Sequence, residues 1–251
     1  MSLVNKTEGQ EFRFRPMGDK SVLIEFEEVI SPEVNKKVRL FSKAIEAAQL
    51  NAVQEVIPAY RSILVYYDPF LVTFDELCDQ ILRIKNQIHH FVLPKARLFY
   101  VPVCYGGEMG PDLTEVAKYA GLTEEEVIAI HSGTTYVVYM IGFLPGFPYL
   151  GGVPREIAVP RLSEPRTKVP AGSVGIAGDQ TGIYPIESPG GWRIIGRTPI
   201  RLYIPEQTPP VLLAPGDLVK FFPISLDDFQ EIREKVEQNA YKIKVEEVNG
   251  N

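Results

Sequence analysis

The sequence predicts an α+β protein of two domains: a small antiparallel sheet carrying helices, then a closed or nearly closed β architecture of short strands. Three observations carry this. Over the first hundred residues, apolar alternation of period two gives way twice to apolar repeats of three to four residues, in the order β-β-α-β-β-α. From Gly142 to Gly216 the chain holds 12 Gly and 13 Pro in 75 residues, against about 12% in average proteins, a density that excludes long helices. That segment and its lead-in still contain "YVVYMIGF", "RIIG", "IRLYI", "VLLAPGDLVKFF" and the only tryptophan, Trp192. Such runs are short strands punctuated by turns, whereas a disordered segment would lack them.

The elements follow in order. "FRFRPMGDKSVLIEF" reads as two strands around a Met17-Gly18-Asp19-Lys20 turn, because Val22, Ile24 and Phe26 alternate with Leu23 and Glu25. Ser31 is a good N-cap and Pro32 suits the first helical position, and Val34, Val38, Phe41, Ile45 and Ala48 form one apolar stripe. "VQEVIPAY" and "SILVYYD" make a second strand pair. Thr73 and Glu76 have capping-box spacing and open a helix through Leu77, Ile81, Ile84 and Ile88. "RLFYVPVCY" is a candidate final strand of this sandwich, which ends near Pro94 and sets the expected domains at residues 1–95 and 96–251. Beyond it, helices are expected at 112–119 and, capped by Thr123 with Glu126, at 124–131. A last helix capped by Ser225 with Asp228 runs to about Gln238, and "YKIKVEEV" is a candidate closing strand.

Composition narrows the function. The chain has 251 residues, 45% hydrophobic and 23% charged, and a formal charge of −6 without a basic block. This argues against a nucleic-acid partner and for protein or small-molecule partners. Cys78 and Cys104 are too few and too far apart for a disulfide framework or a zinc site, in keeping with a reducing compartment. The opening "MSLVNKTEGQ" is polar, is expected to be loose and has no signal-peptide run. No stretch approaches the roughly 18 apolar residues of a membrane span, so the expectation is a cytoplasmic protein without a membrane partner.

Nucleophile-elbow, Walker and zinc-protease signatures are missing, and no metal-ligand cluster appears. His89 and His90 read as cations at a helix C-terminus. His131 ends a helix just before the strand that leads into "GFLPGFPYLGG", and is a candidate to face whatever cavity that stretch frames; an ordinary helix-terminal histidine is the competing reading. Arg161, Arg166, Lys168, Arg193 and Arg197 fall within 37 residues, with Glu164, Asp179 and Glu187 as the opposing charges. Cations on barrel loops suit a carboxylate or phosphate, while rim residues paired with those acids would contribute little. Asp179, Gln180, Tyr184 and Ser188 lie between glycine turns, placed to orient a small amide or acid, and Trp192 is either a core anchor or a ligand platform.

"GFLPGFPYLGG" and "PRLSEPRTKVPAGSVGIAGDQTGIYPIESPGGWRIIGRTP" closely resemble one family, variously named 5-oxoprolinase subunit PxpB, KipI and allophanate hydrolase subunit 1, from about Phe12 to Phe222. The resemblance implies a ferredoxin-like N-terminal domain and a cyclophilin-like C-terminal β-barrel. It also implies pairing with a second barrel protein, PxpC (KipA-like), and with a third, unrelated one, PxpA, to cleave 5-oxoproline to glutamate with ATP as co-substrate; it leaves open which of the three holds the ATP. A lactam is a poor electrophile, and cations would stabilise the negative charge that develops on its activated carbonyl. On that basis Arg161, Arg166 and Lys168 are expected near the charge, His131 as a proton carrier, and Gln180, Tyr184, Ser188 and Arg197 at the substrate or the partner surface. In "GFLPGFPYLGG", glycines would make the turns, prolines stiffen them, and Phe143, Phe147 and Tyr149 pack as wedges in a pocket wall or a core corner. The family names carry two other expectations: inhibition of a sporulation sensor histidine kinase, blocking autophosphorylation, and a component of an allophanate or urea amidolyase-type enzyme. Proline isomerisation would rest on fold alone.

Overall fold

A computed structural model describes residues 11–248; the expectation for the first ten residues lies outside them. Within the described residues the chain divides into two compact units, with the boundary between Pro94 and Lys95.

In the first unit, β1 (Arg13–Pro16), β2 (Ser21–Glu25), α1 (Pro32–Ala47), β3 (Val53–Pro58), β4 (Ser62–Tyr67) and α2 (Phe74–Lys85) follow the expected order. The strands form an antiparallel sheet in the order β1-β2-β4-β3. Ser31 Oγ accepts the Val34 N–H at 3.2 Å, and the Thr73–Glu76 capping box is complete, so both helix starts use side chains to satisfy orphan backbone donors. Val34, Val38, Phe41 and Ile45 of α1 and Leu77, Ile81 and Ile84 of α2 are buried with Val22, Ile24, Ile63 and Val65 of the sheet. The stripe on α1 ends one turn earlier than expected: Ala48 is the exposed C-cap, and Ala44 is buried in its place. Helix α2 stops at Lys85, so Ile88 and His90 belong to a separate 3-10 turn and the cationic-cap reading of the histidine pair does not hold.

The run "RLFYVPVCY" is not a final strand of that sheet. It becomes β5 (Ala96–Tyr105), the long strand around which the second unit is organised. After α3 (Leu113–Ala120) and α4 (Glu124–Gly133) come β6 (Thr135–Ile141), β7 (Pro148–Gly151), β8 (Arg166–Val169), β9 (Ser173–Ala177), β10 (Gln180–Ile183), β11 (Ser188–Gly190), β12 (Arg193–Arg197) and β13 (Leu218–Pro223). The unit ends with α5 (Leu226–Glu237) and β14 (Lys244–Val248). Seven strands run β12-β9-β10-β7-β6-β13-β5, and β12 pairs back onto β5 to close the barrel. Only β13 and β5 are parallel within it; β14 adds to the other end of β5, and β8 with β11 forms a separate two-stranded ribbon. "IRLYI" and "VLLA" make no strand beyond a single bridge from Tyr203 to Val211. Pro199, Pro205, Pro209 and Pro210 remove the donors a ladder needs, although Ile200, Leu202 and Leu213 are still buried.

Closure depends on Gly196, whose Cα faces Tyr105 across the seam. A β-carbon there would lie 2.6 Å from Val103 Cγ1 and 2.9 Å from the Cys104 carbonyl oxygen, inside contact distance of backbone that cannot yield. Gly196→Ala is therefore expected to destabilise the protein by about 1–3 kcal/mol. Urea unfolding checks this, and an unchanged midpoint would show that the seam is not close-packed.

Candidate functional site

The segment between β6 and β7 is a tight reversal. The Gly142 N–H donates to the Phe147 carbonyl at 3.1 Å, and the Phe147 N–H to the Leu144 carbonyl at 3.0 Å. Gly146 takes φ +80°, and Phe143 itself takes φ +67°, a left-handed conformation that costs a bulky residue free energy and marks constraint by the surroundings. The reversal turns Phe147 inward, 1% exposed, while Phe143 stays 63% exposed.

Phe147 is the hub of an aromatic cluster distinct from the barrel interior. Its ring meets Trp192 edge-on at 5.4 Å and Tyr184 at 5.2 Å, with Tyr149 at 4.9 Å and Phe143 at 5.6 Å. Such edge-to-face pairs contribute about 0.5–1.5 kcal/mol each beyond their area. Together with Arg161 and Ser188, these rings line an open cavity of about 400 Å³. The Arg161 guanidinium lies 6.0 Å from the Trp192 ring centroid, within cation–π range. Ser188 Oγ is buried and has no hydrogen-bond partner among the described residues, a deficit that a bound polar group would remove. Burial raises the Tyr184 phenol pKa, which keeps it a neutral wall. The stretch read as a wall or a corner is thus one side of a cavity.

Of the expected site residues, Arg161, Tyr184 and Ser188 meet here. The others lie elsewhere. Arg166 makes a bidentate ion pair with Asp112, at 2.9 and 2.6 Å, and Lys168 pairs with Glu187 at 3.2 Å on the exposed ribbon. Gln180 opens β10 opposite Gly151 and Ala177, and Arg197 lines a different cavity.

His131 is fully buried in the barrel interior, stacked on Phe221 at 4.7 Å. Thr181 Oγ1 donates to the Gly175 carbonyl at 2.9 Å, so it has no proton left for the imidazole. Nε2–H of His131 therefore donates to Thr181 Oγ1 at 3.0 Å, and the Tyr105 hydroxyl donates to Nδ1 at 2.8 Å. The chain Tyr105–His131–Thr181–Gly175 is fully satisfied, and neither ring nitrogen is left to face the aromatic cavity.

Sequence reasoning missed the partners that organise this site. Asp112, 5% exposed among apolar neighbours, is legible in the sequence only as a helix start. Its carboxylate also accepts the Ile194 N–H at 2.6 Å. Glu115, also on α3, pairs with Arg193. No local signal announces either contact, because 54 and 78 residues separate the partners.

Two consequences can be measured. Asp112→Ala strands the half-buried Arg166 guanidinium and the Ile194 N–H, and should cost about 3 kcal/mol in chemical unfolding; a loss below the error of the fit would mean that the pair is solvated. Burial pushes the His131 pKa down to about 3, against about 6.5 when unfolded. Between those values the unfolded chain binds the extra proton, so this contribution is intact above pH 6.5 and is lost as pH falls. From pH 7 to pH 5 it amounts to about 2 kcal/mol. Urea unfolding at both values should give the wild type that much more loss than His131→Gln, and equal losses would contradict a buried neutral imidazole.

Known proteins resemble this chain over most of its length. Residues 12–213 match the family described as carboxyltransferase domain, subdomain C and D. The 5-oxoprolinase subunit PxpB of Bacillus subtilis is 44% identical over 234 residues, covering 89% of this chain and 98% of the relative. That of Escherichia coli O157:H7 is 40% identical, covering 85% and 97%. A crystal structure of a conserved uncharacterized protein from Pyrococcus horikoshii is 50% identical and covers 86% of this chain and 99% of its own, with a TM-score of 0.52. The match spans both units and takes in every residue lining the aromatic cavity: the chain belongs to the 5-oxoprolinase PxpB family of carboxyltransferase-type proteins.

Proposed function

We propose that this chain works as the PxpB component of an ATP-dependent 5-oxoprolinase, together with PxpA and PxpC in the cytoplasm, and that the aromatic cavity holds the lactam. The observation that carries the placement is that an unpartnered buried hydroxyl, Ser188, and a cation, Arg161, line one cavity with aromatic walls. 5-Oxoproline is a small apolar ring with a lactam amide and a carboxylate. Phe147 and Trp192 offer faces and edges to the ring, Arg161 answers the carboxylate, and Ser188 Oγ hydrogen-bonds the amide. ATP supplies the activation of the lactam carbonyl; this chain's residues bind the ring, fix its orientation and limit water around it.

The arginine cluster enters this reading in reduced form. Arg166 is neutralised by Asp112 and Lys168 by Glu187, so Arg161 is the cation of the cluster that the cavity retains. His131 has no route to the substrate from the barrel interior and is assigned no proton transfer. A second reading, docking of the aromatic rim on a sensor histidine kinase, draws on the exposure of Phe143.

Steady-state kinetics on the assembled three-component enzyme test the placement. Arg161→Gln should raise KM for 5-oxoproline roughly tenfold, and Ser188→Ala should lower kcat/KM by a similar factor. Both variants matching the wild type would move the substrate elsewhere. If Phe143→Ala relieved inhibition of kinase autophosphorylation while sparing 5-oxoproline turnover, the rim would serve the second reading.

A further inference from the structure

The arginines of the second unit differ in whether a carboxylate answers them. Arg97 pairs with Asp217, Arg166 with Asp112 and Arg193 with Glu115. Arg197 and Arg201 have no ion-pair partner among the described residues, and they converge on a second cavity, of about 180 Å³, where the end of β12 and the chain after it face α5. Arg233 of α5 lines it too. Glu237, the one acidic residue there, lies 3.9 Å from Arg233, and both of those side chains are more than half exposed.

The position of Arg197 is built. Its Nε donates to the Ala171 carbonyl at 2.7 Å, which fixes the plane of the guanidinium and leaves its two terminal nitrogens available. Gly172, at φ +82°, lets that carbonyl and Arg197 lie side by side, since a β-carbon there would collide with the Thr198 carbonyl. The Thr198 N–H donates to the Gly172 carbonyl at 2.8 Å, locking the two loops together. Burial first, and next the charge of Arg233, lower the Arg197 pKa. Three positive charges, less Glu237 and about half a charge from the carbonyl end of α5, leave a net charge above +1.

We propose that this cavity is an oxyanion site that takes one carboxylate or phosphate group between Arg197, Arg201 and Arg233. Its volume of about 180 Å³ is room for such a group with residual hydration. Guanidinium groups match the planar or tetrahedral oxygens of either anion bidentately. The site is separate from the aromatic cavity: the two share no lining residue, although Tyr184 borders one and Pro185 the other.

NMR titration of the full chain at constant ionic strength, with inorganic phosphate in one arm and acetate in the other, tests this without any turnover. Saturable shifts of the Ala171, Gly172 and Thr198 amides are expected, weakened roughly tenfold in Arg201→Gln and in Arg233→Gln and unchanged in Arg83→Gln on α2. A response to phosphate alone assigns a phosphoryl group, to acetate alone a carboxylate, and to both the shared site. No saturation in either arm, or undiminished binding in both Arg201→Gln and Arg233→Gln, overturns the proposal. Arg197→Gln removes the Ala171 bond as well, so the decision rests on the two exposed arginines. Because the readout is anion binding by this chain alone, its failure is separate from any failure of the lactam placement.

Discussion

One buried carboxylate holds the second unit to its site. Asp112, at the start of α3, accepts two hydrogen bonds from Arg166 on β8 and one from the Ile194 N–H on β12, while its own N–H donates to the Ile194 carbonyl. A helix, a barrel strand and the ribbon are thus tied through one side chain. The ribbon matters because β11, paired with β8, carries Ser188 and Gly190 into the cavity wall. A carboxylate only 5% exposed is costly to bury unless every lone pair is answered. Here three donors and an opposite charge answer it, and the cavity geometry inherits that rigidity.

The barrel interior is packed. It is filled by one continuous apolar cluster running from Phe99 to Phe221, and the His131–Thr181 pair inside it satisfies its own polar groups. A packed interior leaves ligand binding to surfaces where loops cross outside the strands, and there the aromatic cluster around Phe147 forms a second, smaller body. Constraint concentrates at its edge: Phe143 holds a backbone conformation that few bulky residues adopt.

Local chemistry was legible in the sequence. Thr73, Thr123 and Ser225 each announced a helix start through a cap and an acid three residues on, and each makes the complete capping box. Strand assignment failed where apolarity and backbone chemistry diverge, in the proline-rich 199–213 segment, where Ile200, Leu202 and Leu213 are buried without a ladder. Of the residues expected at the site, Ser188, Tyr184 and Arg161, whose polar character stands out among turns, line one cavity. The cations misled because proximity in sequence says nothing about which carboxylate reaches them. Arg166 and Arg193 are answered by α3, which no pattern within their own segment can reveal.

The glycine content that resembles disorder has a packing cause instead. At Gly172 the space of a β-carbon is taken by the Thr198 carbonyl, at Gly151 by the Tyr139 ring, and at Gly190 by the Tyr184 ring and hydroxyl. These glycines occur where β6 and β7 pair, where the chain before β9 meets the chain after β12, and where the cavity wall presses on its own floor. Each gives up conformational entropy in the unfolded chain for contacts that no larger residue permits. A flexible linker would show open space at such positions. The filled space at these three shows close packing within a segment of one-third glycine and proline.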